Sequence, residues 1–201
     1  MARMPLAQRR QQLVDAAIAV LTRDGVPKAT TRAIVAEAGT SLSVFHYCFD
    51  SKQELLDAVI KTLVGTTVDL AEASFADGAT RREMVRAGLE AYWSHVVANP
   101  DHHLLTYELT QYCLRTPGYG EVARQQYEHY AHAFIALLEG IGATPALPSE
   151  VMGRYLAALI DGVTLDWLVR RDDTSSRRVL DLMAQQIDEV MLLPETAPSR
   201  A

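Results

Sequence analysis

The sequence predicts an all-α protein, because apolar residues recur at helical spacing along almost its whole length. In the first such segment Leu13, Ala16, Ala17, Val20 and Leu21 repeat at intervals of three and four. No stretch keeps up the alternation of apolar and polar residues that predicts a strand. Glycine and proline stand where the periodic segments stop, which is typical of helix ends. Together these three observations predict about nine helices with short connections.

Each helix is delimited by recognisable start and stop residues. Gly25 and Pro27 stop the first helix, Thr30 caps the second, and Ser41 caps the third. Ser51 and Glu54 have the spacing of a capping box at the start of the fourth. A loop rich in Gly and Pro separates the last two helices from the rest. The predicted ranges are 8–23, 31–38, 42–48, 51 through 63, 79–98, 101–115, 119–141, 149–171 and 174–193.

Charge is distributed unevenly along the 201 residues, whose formal net charge is −6. Residues 1–52 hold seven Lys or Arg and four Asp or Glu, whereas residues 53–201 hold twelve and twenty-one. A basic end on an acidic body is typical of a protein that touches a polyanion at one end only.

Several function classes find no support in the sequence. The two cysteines, Cys48 and Cys113, lack metal-ligand spacing, so we expect no metal and no cofactor. The start of the chain lacks the apolar region of a signal peptide, and no apolar run is long enough to span a membrane. We therefore expect a cytoplasmic protein without a membrane partner. GxGxxG, P-loop and HExxH motifs are absent, and adjacent His102 and His103 point about 100° apart on a helix, so we do not expect an enzyme.

Residues 30–49, TTRAIVAEAGTSLSVFHYCF, have the plan of a helix-turn-helix. A capped helix, a turn at Gly39 and a second short helix fit within this segment, and the second helix of such a motif enters the major groove. It needs an apolar inner face to hold it and a polar or small outer face to read base edges. We expect the inner face to hold Val44, Phe45, Cys48 and Phe49. We expect the outer face to hold Leu42, Ser43, His46 and Tyr47.

At these residues the sequence resembles the TetR family of bacterial repressors. The resemblance runs from Arg9 to Leu56 and rests on the segments LVDAAIAVLTRDG, TTRAIVAEAGTS and FHYCFDSKQELL. It implies a three-helix DNA-binding domain over residues 1–52 and a larger helical domain over residues 53–201 that binds a ligand and dimerises. The second domain is similar to the family only in its length and its helical character.

The resemblance also implies which residues contact DNA. Thr30 and Lys52 would meet phosphates, and Arg32 would reach a base edge or a phosphate. The full implied set is Thr30, Arg32, Ser41, Leu42, Ser43, His46, Tyr47 and Lys52, with Arg3, Arg9 and Arg10 along the DNA backbone. The family usually has Tyr in place of His46, and often Lys in place of Leu42. A solvated Arg32 and a packing role for Tyr47 remain alternatives.

The helices between residues 79 and 141 are rich in aromatic residues and His. An aromatic cavity with a few polar tips suits a small apolar ligand, although such a stripe is more often part of a core. The expected pocket residues are Trp93, His103, Tyr107, Tyr112, Tyr130 and Phe134. Glu108 is expected to point to solvent.

The last two helices have broad apolar faces, and in the resembling family they pair with their copies in a four-helix bundle. The expected dimer interface comprises Tyr155, Leu159, Val163, Trp167, Met183 and Ile187. Gly162 is expected to permit close approach of a backbone.

These features predict a ligand-responsive regulator, a repressor that binds a palindromic DNA operator as a homodimer. A small, largely apolar or aromatic molecule is expected to release it. Two alternatives are a DNA-binding regulator that acts through a protein partner instead of a ligand, and an all-α enzyme.

Overall fold

The computed structural model describes residues 4–191. All the helices and strands that could be assigned in that range turn out to be helices. Nine α-helices are followed by a π-helical turn at Ile187–Met191 within the described range. The helices are α1 Leu6–Asp24, α2 Thr31–Glu37, α3 Leu42–Cys48, α4 Lys52–Ala73, α5 Arg81–Ala98, α6 Pro100–Arg115, α7 Gly120–Gly140, α8 Ser149–Arg170 and α9 Asp173–Gln186. The all-α prediction is therefore confirmed. Helix α4 runs beyond the apolar residues that predicted it, and α9 gives way to the π-helical turn.

The chain divides into two compact units. The first comprises Met1–Gly65 and Asn99–Gln126, and the second comprises Thr66–Ala98 and Tyr127–Ala201. The first unit is thus larger than the DNA-binding domain expected over residues 1–52, because α6, most of α4 and the start of α7 belong to it. The boundary at residue 52 follows the helix-turn-helix and stays a prediction.

The first unit has one apolar core, which holds α1, α2 and α3 in place. This core contains Leu13, Val20 and Leu21 of α1, which are fully buried. From α6 it contains Leu105 and Leu109, which are at most 2% exposed. Phe45 of α3 and Phe49, which follows the end of that helix, belong to the same cluster. Burying each large side chain contributes roughly 1.5–3 kcal/mol, so the short α3 depends on this core for its stability.

The turn between α2 and α3 is a Schellman motif built around Gly39. The Gly39 φ of +60° lies in the left-handed region, which glycine adopts without steric cost. The Gly39 amide donates to the Ala36 carbonyl at 3.1 Å, and the Thr40 amide donates to the Val35 carbonyl at 2.9 Å. These bonds end α2 and set the direction in which the chain enters α3.

The second unit packs α5, α7, α8 and α9 around two apolar clusters. One contains Trp93 and Trp167, whose ring centroids lie 5.6 Å apart in an edge-to-face arrangement. The other contains Met152 and Leu156 of α8. Helices α7 and α8 approach closely at Gly153, where an added Cβ would lie 2.7 Å from the Ala131 carbonyl oxygen. None of the described helices combines the length and the apolar character that crossing a membrane requires.

Candidate nucleic-acid interface and effector site

Helix α3 presents the expected polar face to solvent. Phe45 and Cys48 are buried, whereas Ser43, His46 and Tyr47 are exposed. Tyr47 is 59% exposed, so most of its ring lies outside the core. The His46 ring lies edge-on against Phe45, with the ring centroids 5.4 Å apart. An exposed polar face above a buried apolar one is the arrangement that a reading helix needs.

Leu42 departs from the expected outward orientation. It is half-buried and packs against the core of the first unit, as does Val44. Leu42 is the first residue of α3, where the chain leaves the turn and lies against the scaffold. Only part of its side chain is therefore accessible for an apolar contact with a thymine methyl group.

The three residues expected to cap helices behave differently. The Thr30 hydroxyl accepts from the Ala33 amide at 3.2 Å, so Thr30 caps α2. The Ser51 hydroxyl accepts from the Glu54 amide at 3.1 Å, while the Glu54 carboxylate accepts from the Asp50 amide at 2.7 Å. Ser41 makes no side-chain cap bond; its hydroxyl pairs with that of Ser43 at 2.8 Å. The prediction that Ser41 caps α3 with its side chain was therefore wrong.

Arg10 holds three elements of the first unit together. Its guanidinium donates to the Cys48 carbonyl, lies 4.1 Å from the centre of the Phe49 ring and pairs with Glu54 at 2.8 Å. The bond from the Asp50 amide and the Arg10 charge hold the pKa of Glu54 below its usual value. This internal role contrasts with the expected position of Arg10 along the DNA backbone. Arg9 donates to Gln12 at 2.7 Å, and Arg3 lies outside the described residues.

Arg32 and Thr30 are exposed at the start of α2. Lys52, expected to meet a phosphate, is half-buried at the start of α4, with its Nζ 5.3 Å from the centre of the Tyr112 ring. Burial lowers the pKa of Lys52 and raises that of neighbouring Cys113 to about 11. A residue expected at the DNA surface thus contacts Tyr112, which was expected in the effector pocket.

The six expected pocket residues divide between the two units. His103, Tyr107 and Tyr112 belong to the first unit, and Trp93, Tyr130 and Phe134 belong to the second. Trp93 is fully buried, and its indole N–H donates to the Asp173 carboxylate at 2.7 Å. These contacts make Trp93 part of the core of the second unit. The other five are half-buried or, for His103, buried, and their role in a pocket stays a prediction. Glu108 is exposed.

Four polar aromatic and acidic side chains meet on α5, α7 and α8 of the second unit. The Tyr127 hydroxyl donates to the Asp161 carboxylate at 2.7 Å. The Tyr127 and Tyr130 ring centroids lie 5.6 Å apart at an interplanar angle of 69°. Tyr92 shares a 2.7 Å hydrogen bond with the buried Thr164 hydroxyl and lies within electrostatic range of Tyr130 and Asp161. We call Tyr92, Tyr127, Tyr130 and Asp161 the tyrosine–aspartate cluster.

Sequence reasoning missed Asp161, although a signal was present. Asp161 interrupts an apolar run of α8 between Ile160 and Val163. Burying a charge in such a run costs free energy unless the charge is paired or hydrogen-bonded. It is half-buried, whereas Glu150 and Asp166 of the same helix are exposed. Burial raises the pKa of Asp161, partly offset by the hydrogen bond from Tyr127.

Most of the expected dimer residues are buried within the second unit. The side chains of Val163, Trp167, Met183 and Ile187 pack in its core, and none is more than 7% exposed, so they are not available to a second chain. Tyr155 is 40% exposed and Leu159 is half-buried. A different apolar stripe faces solvent on α8 and α9. Its members are Val151, Tyr155, Ala158, Gly162, Leu165 and Val169 on α8, with Val179 and Leu182 on α9.

Within the described part of the chain, no three His, Cys, Asp or Glu side chains are grouped so that they could hold a metal ion. The geometry therefore presents a short helix with an exposed polar face in one unit, and an aromatic cluster with a carboxylate in the other.

Comparison with known families decides the identity of the fold. The model for bacterial regulatory proteins of the tetR family matches residues 13–59, and the model for the C-terminal domain of BetI-type transcriptional repressors matches residues 79–192. The second match alone spans more than half of the chain. The chain belongs to the TetR family. As a TetR-family member with a BetI-type C-terminal domain, it is a transcriptional repressor.

Individual relatives of this TetR-family repressor cover almost its whole length. The HTH-type nicotine-responsive transcriptional repressor HdnoR of Paenarthrobacter nicotinovorans is 29% identical over 188 residues, which are 92% of this chain and 95% of that protein. A transcriptional regulator from Pseudomonas aeruginosa PAO1 has a TM-score of 0.69 at 23% identity, covering 92% of this chain and 91% of that one. A regulator from Saccharomonospora viridis in complex with choline has a TM-score of 0.63 at 18% identity, covering 94% and 100%. The two solved structures support the fold.

Proposed function

We propose that this TetR-family repressor binds a near-palindromic operator as a dimer and is released by a small organic effector. One observation carries the DNA-binding half of the proposal. Helix α3 rests on the core through Phe45 and Cys48, while Ser43, His46 and Tyr47 remain on its exposed face. The major groove admits one helix and presents a distinct donor and acceptor pattern for each base pair.

Selection of binding sites from random duplexes tests this half. Two copies of α3 in successive major grooves lie about 34–36 Å apart, so we expect an enriched inverted repeat. Arg32→Ala and Tyr47→Ala should each relax the preference for one base per half-site, by about 1–3 kcal/mol. Arg178→Ala, which removes the same charge from an exposed site on α9, is the matched control. A selection that enriches no inverted repeat contradicts the proposal.

Lys52 is proposed to act on the DNA backbone. Its ammonium lies over Tyr112 at the start of α4, where the helix dipole also favours an anion. Lys52→Ala should weaken binding to all sequences alike and reduce the salt dependence by about one unit of slope. A loss confined to the selected operator would instead assign Lys52 to base reading.

The dimer is proposed to form through the exposed stripe of α8 and α9. Its members on α8 recur at intervals of three and four, which is the spacing of a helix that packs against another helix. Gly162 belongs to this stripe, and an added Cβ there would meet nothing within 4 Å in the same chain. A symmetric pairing of this face with its copy buries side chains such as Leu165 and Val169.

The effector half is supported by the aromatic side chains of the second unit and by the comparisons. HdnoR is described as nicotine-responsive, and the Saccharomonospora viridis regulator was solved with choline. We propose that this chain also responds to a small organic molecule. A thermal-shift screen tests this, because a ligand at 100 times its Kd stabilises the folded state by about 2.7 kcal/mol. If no compound shifts Tm and a protein partner is needed for release, the effector half is wrong.

A further inference from the structure

Lys52 stands in surroundings that disfavour a positive charge. It is the first residue of α4, where the partial positive charge of the helix N-terminus opposes a cation. The side chain is half-buried, and burial lowers the pKa of Lys52. Glu54, in the same turn of α4, pairs with Arg10 and not with Lys52. Among the residues that the structure describes, no carboxylate forms an ion pair with Lys52.

The groups beside the Lys52 ammonium are an aromatic ring and a thiol. Its Nζ lies 5.3 Å from the centre of the Tyr112 ring, a distance at which the ring face attracts a cation. Cys113, next to Tyr112 on α6, is buried, and burial raises its pKa to about 11, so the thiol brings no negative charge. The ring therefore stabilises the ammonium without neutralising it. Because Lys52 is only half-buried, a phosphate can still reach it and supply the negative charge.

The Tyr112 ring is itself held in place. Tyr112 and Tyr119 both pack against the apolar core of the first unit. Their ring centroids lie 5.7 Å apart at an interplanar angle of 81°, which is an edge-to-face arrangement. Lysine has a flexible four-carbon stem, so ordering it at an interface costs conformational entropy. A fixed ring that already holds the ammonium reduces this cost before DNA binds.

We propose that Tyr112 is a positioning residue for DNA binding, which holds the Lys52 ammonium at the start of α4 so that it meets a phosphate. The inference rests on the proposed function, since Lys52 is proposed there to contact the DNA backbone. It gives α6 a part in DNA binding, although α6 lies outside the helix-turn-helix. If Tyr112 instead only packs the core of the first unit, its replacement should change stability without changing how binding depends on salt.

Salt titrations of binding to a random-sequence duplex test the proposal, because phosphate contacts do not depend on sequence. The slope of log K against log salt concentration reports the number of phosphates that the protein neutralises. Tyr112→Leu removes the ring and keeps an apolar side chain. It should weaken binding about two- to tenfold and show part or all of the reduction in slope that Lys52→Ala shows. Tyr112→Phe keeps the ring and should restore both values. Leu114→Ala, at an exposed site on the same helix, is the control.

A double variant distinguishes positioning from packing. If Tyr112 acts through Lys52, Tyr112→Leu should cause no further loss of affinity in a protein that already carries Lys52→Ala. Losses that add in the double variant, or a Tyr112→Leu slope equal to that of the unmodified protein, overturn the proposal. Circular dichroism checks that each variant is folded. If Tyr112→Leu is not, Tyr112→Met takes its place in the same assays, because an unbranched side chain adapts to the space that the ring leaves.

The same titrations separate this proposal from the proposed function. If Lys52→Ala reduces the slope and Tyr112→Leu does not, the backbone contact of Lys52 stands and only the role of Tyr112 is wrong. If Lys52→Ala changes neither the affinity nor the slope, the proposed backbone contact fails and the positioning role of Tyr112 fails with it.

Discussion

Arg10 illustrates how one side chain can set the position of a whole recognition unit. Its guanidinium reaches a carbonyl at the end of α3, a ring at the next residue and a carboxylate in the first turn of α4. Each bond is modest by itself, but together they fix the α3–α4 connection against α1. The side chain is 37% exposed, so water screens the ion pair with Glu54 and the packing contacts carry more of the effect.

Arg10→Met should therefore destabilise the protein by about 1–2 kcal/mol and weaken operator binding as well. Methionine keeps the apolar stem of the side chain and removes the hydrogen bonds. Urea unfolding followed by circular dichroism measures the change. Arg9→Met is the control, because the Arg9 bond is to a neighbour on the same helix. Equal stability of the two variants would show that Arg10 does not have this connecting role.

Asp161 should make stability depend on pH in a characteristic direction. Its pKa is raised in the folded protein, mainly by burial, so the folded state holds the proton more tightly than the unfolded chain. The contribution of Asp161 to stability is therefore greatest below the unfolded pKa of about 3.9 and is lost as pH rises through the folded pKa. The Tyr127 phenol donates to this carboxylate, and because burial raises the pKa of Tyr127 the phenol stays neutral over this range.

Asp161→Asn should consequently be at least as stable as the unmodified protein at pH 7, and its advantage should shrink towards pH 4. Thermal unfolding of both proteins across this range measures the difference. A variant that is less stable at pH 7 than at pH 4, relative to the unmodified protein, would contradict the assignment.

At the scale of the element, α8 has two apolar faces with different surroundings. One face packs within the second unit and comes close to α7 at Gly153, while the opposite apolar stripe is exposed. A helix that is apolar on both faces is typical of one that also packs against another chain. Two glycines on this helix distinguish the two faces.

Gly153→Ala should destabilise the monomer fold by about 1–3 kcal/mol, because the new methyl group would lie 2.7 Å from the Ala131 carbonyl oxygen. Gly162→Ala should leave the fold intact, since nothing within the same chain lies near its Cβ position. Denaturant unfolding at low protein concentration measures both. Similar losses for the two variants would place Gly162 in the same packing role as Gly153.

Substituting a charged residue on one face of α8 or the other tests folding and dimerisation separately. Leu165→Glu lies on the exposed stripe and should give folded monomers, because dimerisation would bury an unpaired charge. Val163→Glu lies in the core and should unfold the second unit at a cost of several kcal/mol. Sedimentation velocity and circular dichroism report the two effects. An unchanged dimer for Leu165→Glu would exclude this stripe from the interface.

At the scale of the whole molecule, the features that depend on residues close in sequence could be predicted, and those that depend on tertiary packing could not. Thr30, Gly39 and Ser51 act on their own neighbours, so the helix ends that they set were predicted well. The burial of Val163 and Met183 was not predicted, because helical periodicity finds an apolar face without saying whether it meets the same chain or a copy. The contact between Lys52 and Tyr112 is tertiary, and sequence spacing carries no signal for it.

The same limit explains the candidate effector site. The aromatic stripe of α7 was visible in the sequence, but its partner Asp161 lies on α8 and the hydrogen bond from Tyr127 depends on how these helices pack. Trp93 was predicted to line a pocket, because periodicity does not distinguish a core ring from a pocket ring. The structure places it against Trp167 and Asp173.

Coupling between the two functions is the central claim at this scale. Helix α4 begins at Lys52 in the first unit and ends in the second, so it connects the proposed DNA surface to the unit that holds the tyrosine–aspartate cluster. An effector releases the operator only if it binds the DNA-incompatible state better than the DNA-bound state, and reversing a 99:1 preference needs about 5.5 kcal/mol of differential affinity. Linkage makes the effect reciprocal.

The most direct test is a titration of the effector, first with the free protein and then with the protein saturated by its selected operator. We predict that operator DNA weakens effector binding by the same factor by which the effector weakens operator binding. Equal effector affinity in the two titrations would contradict it, because the protein would then bind the molecule without sensing it.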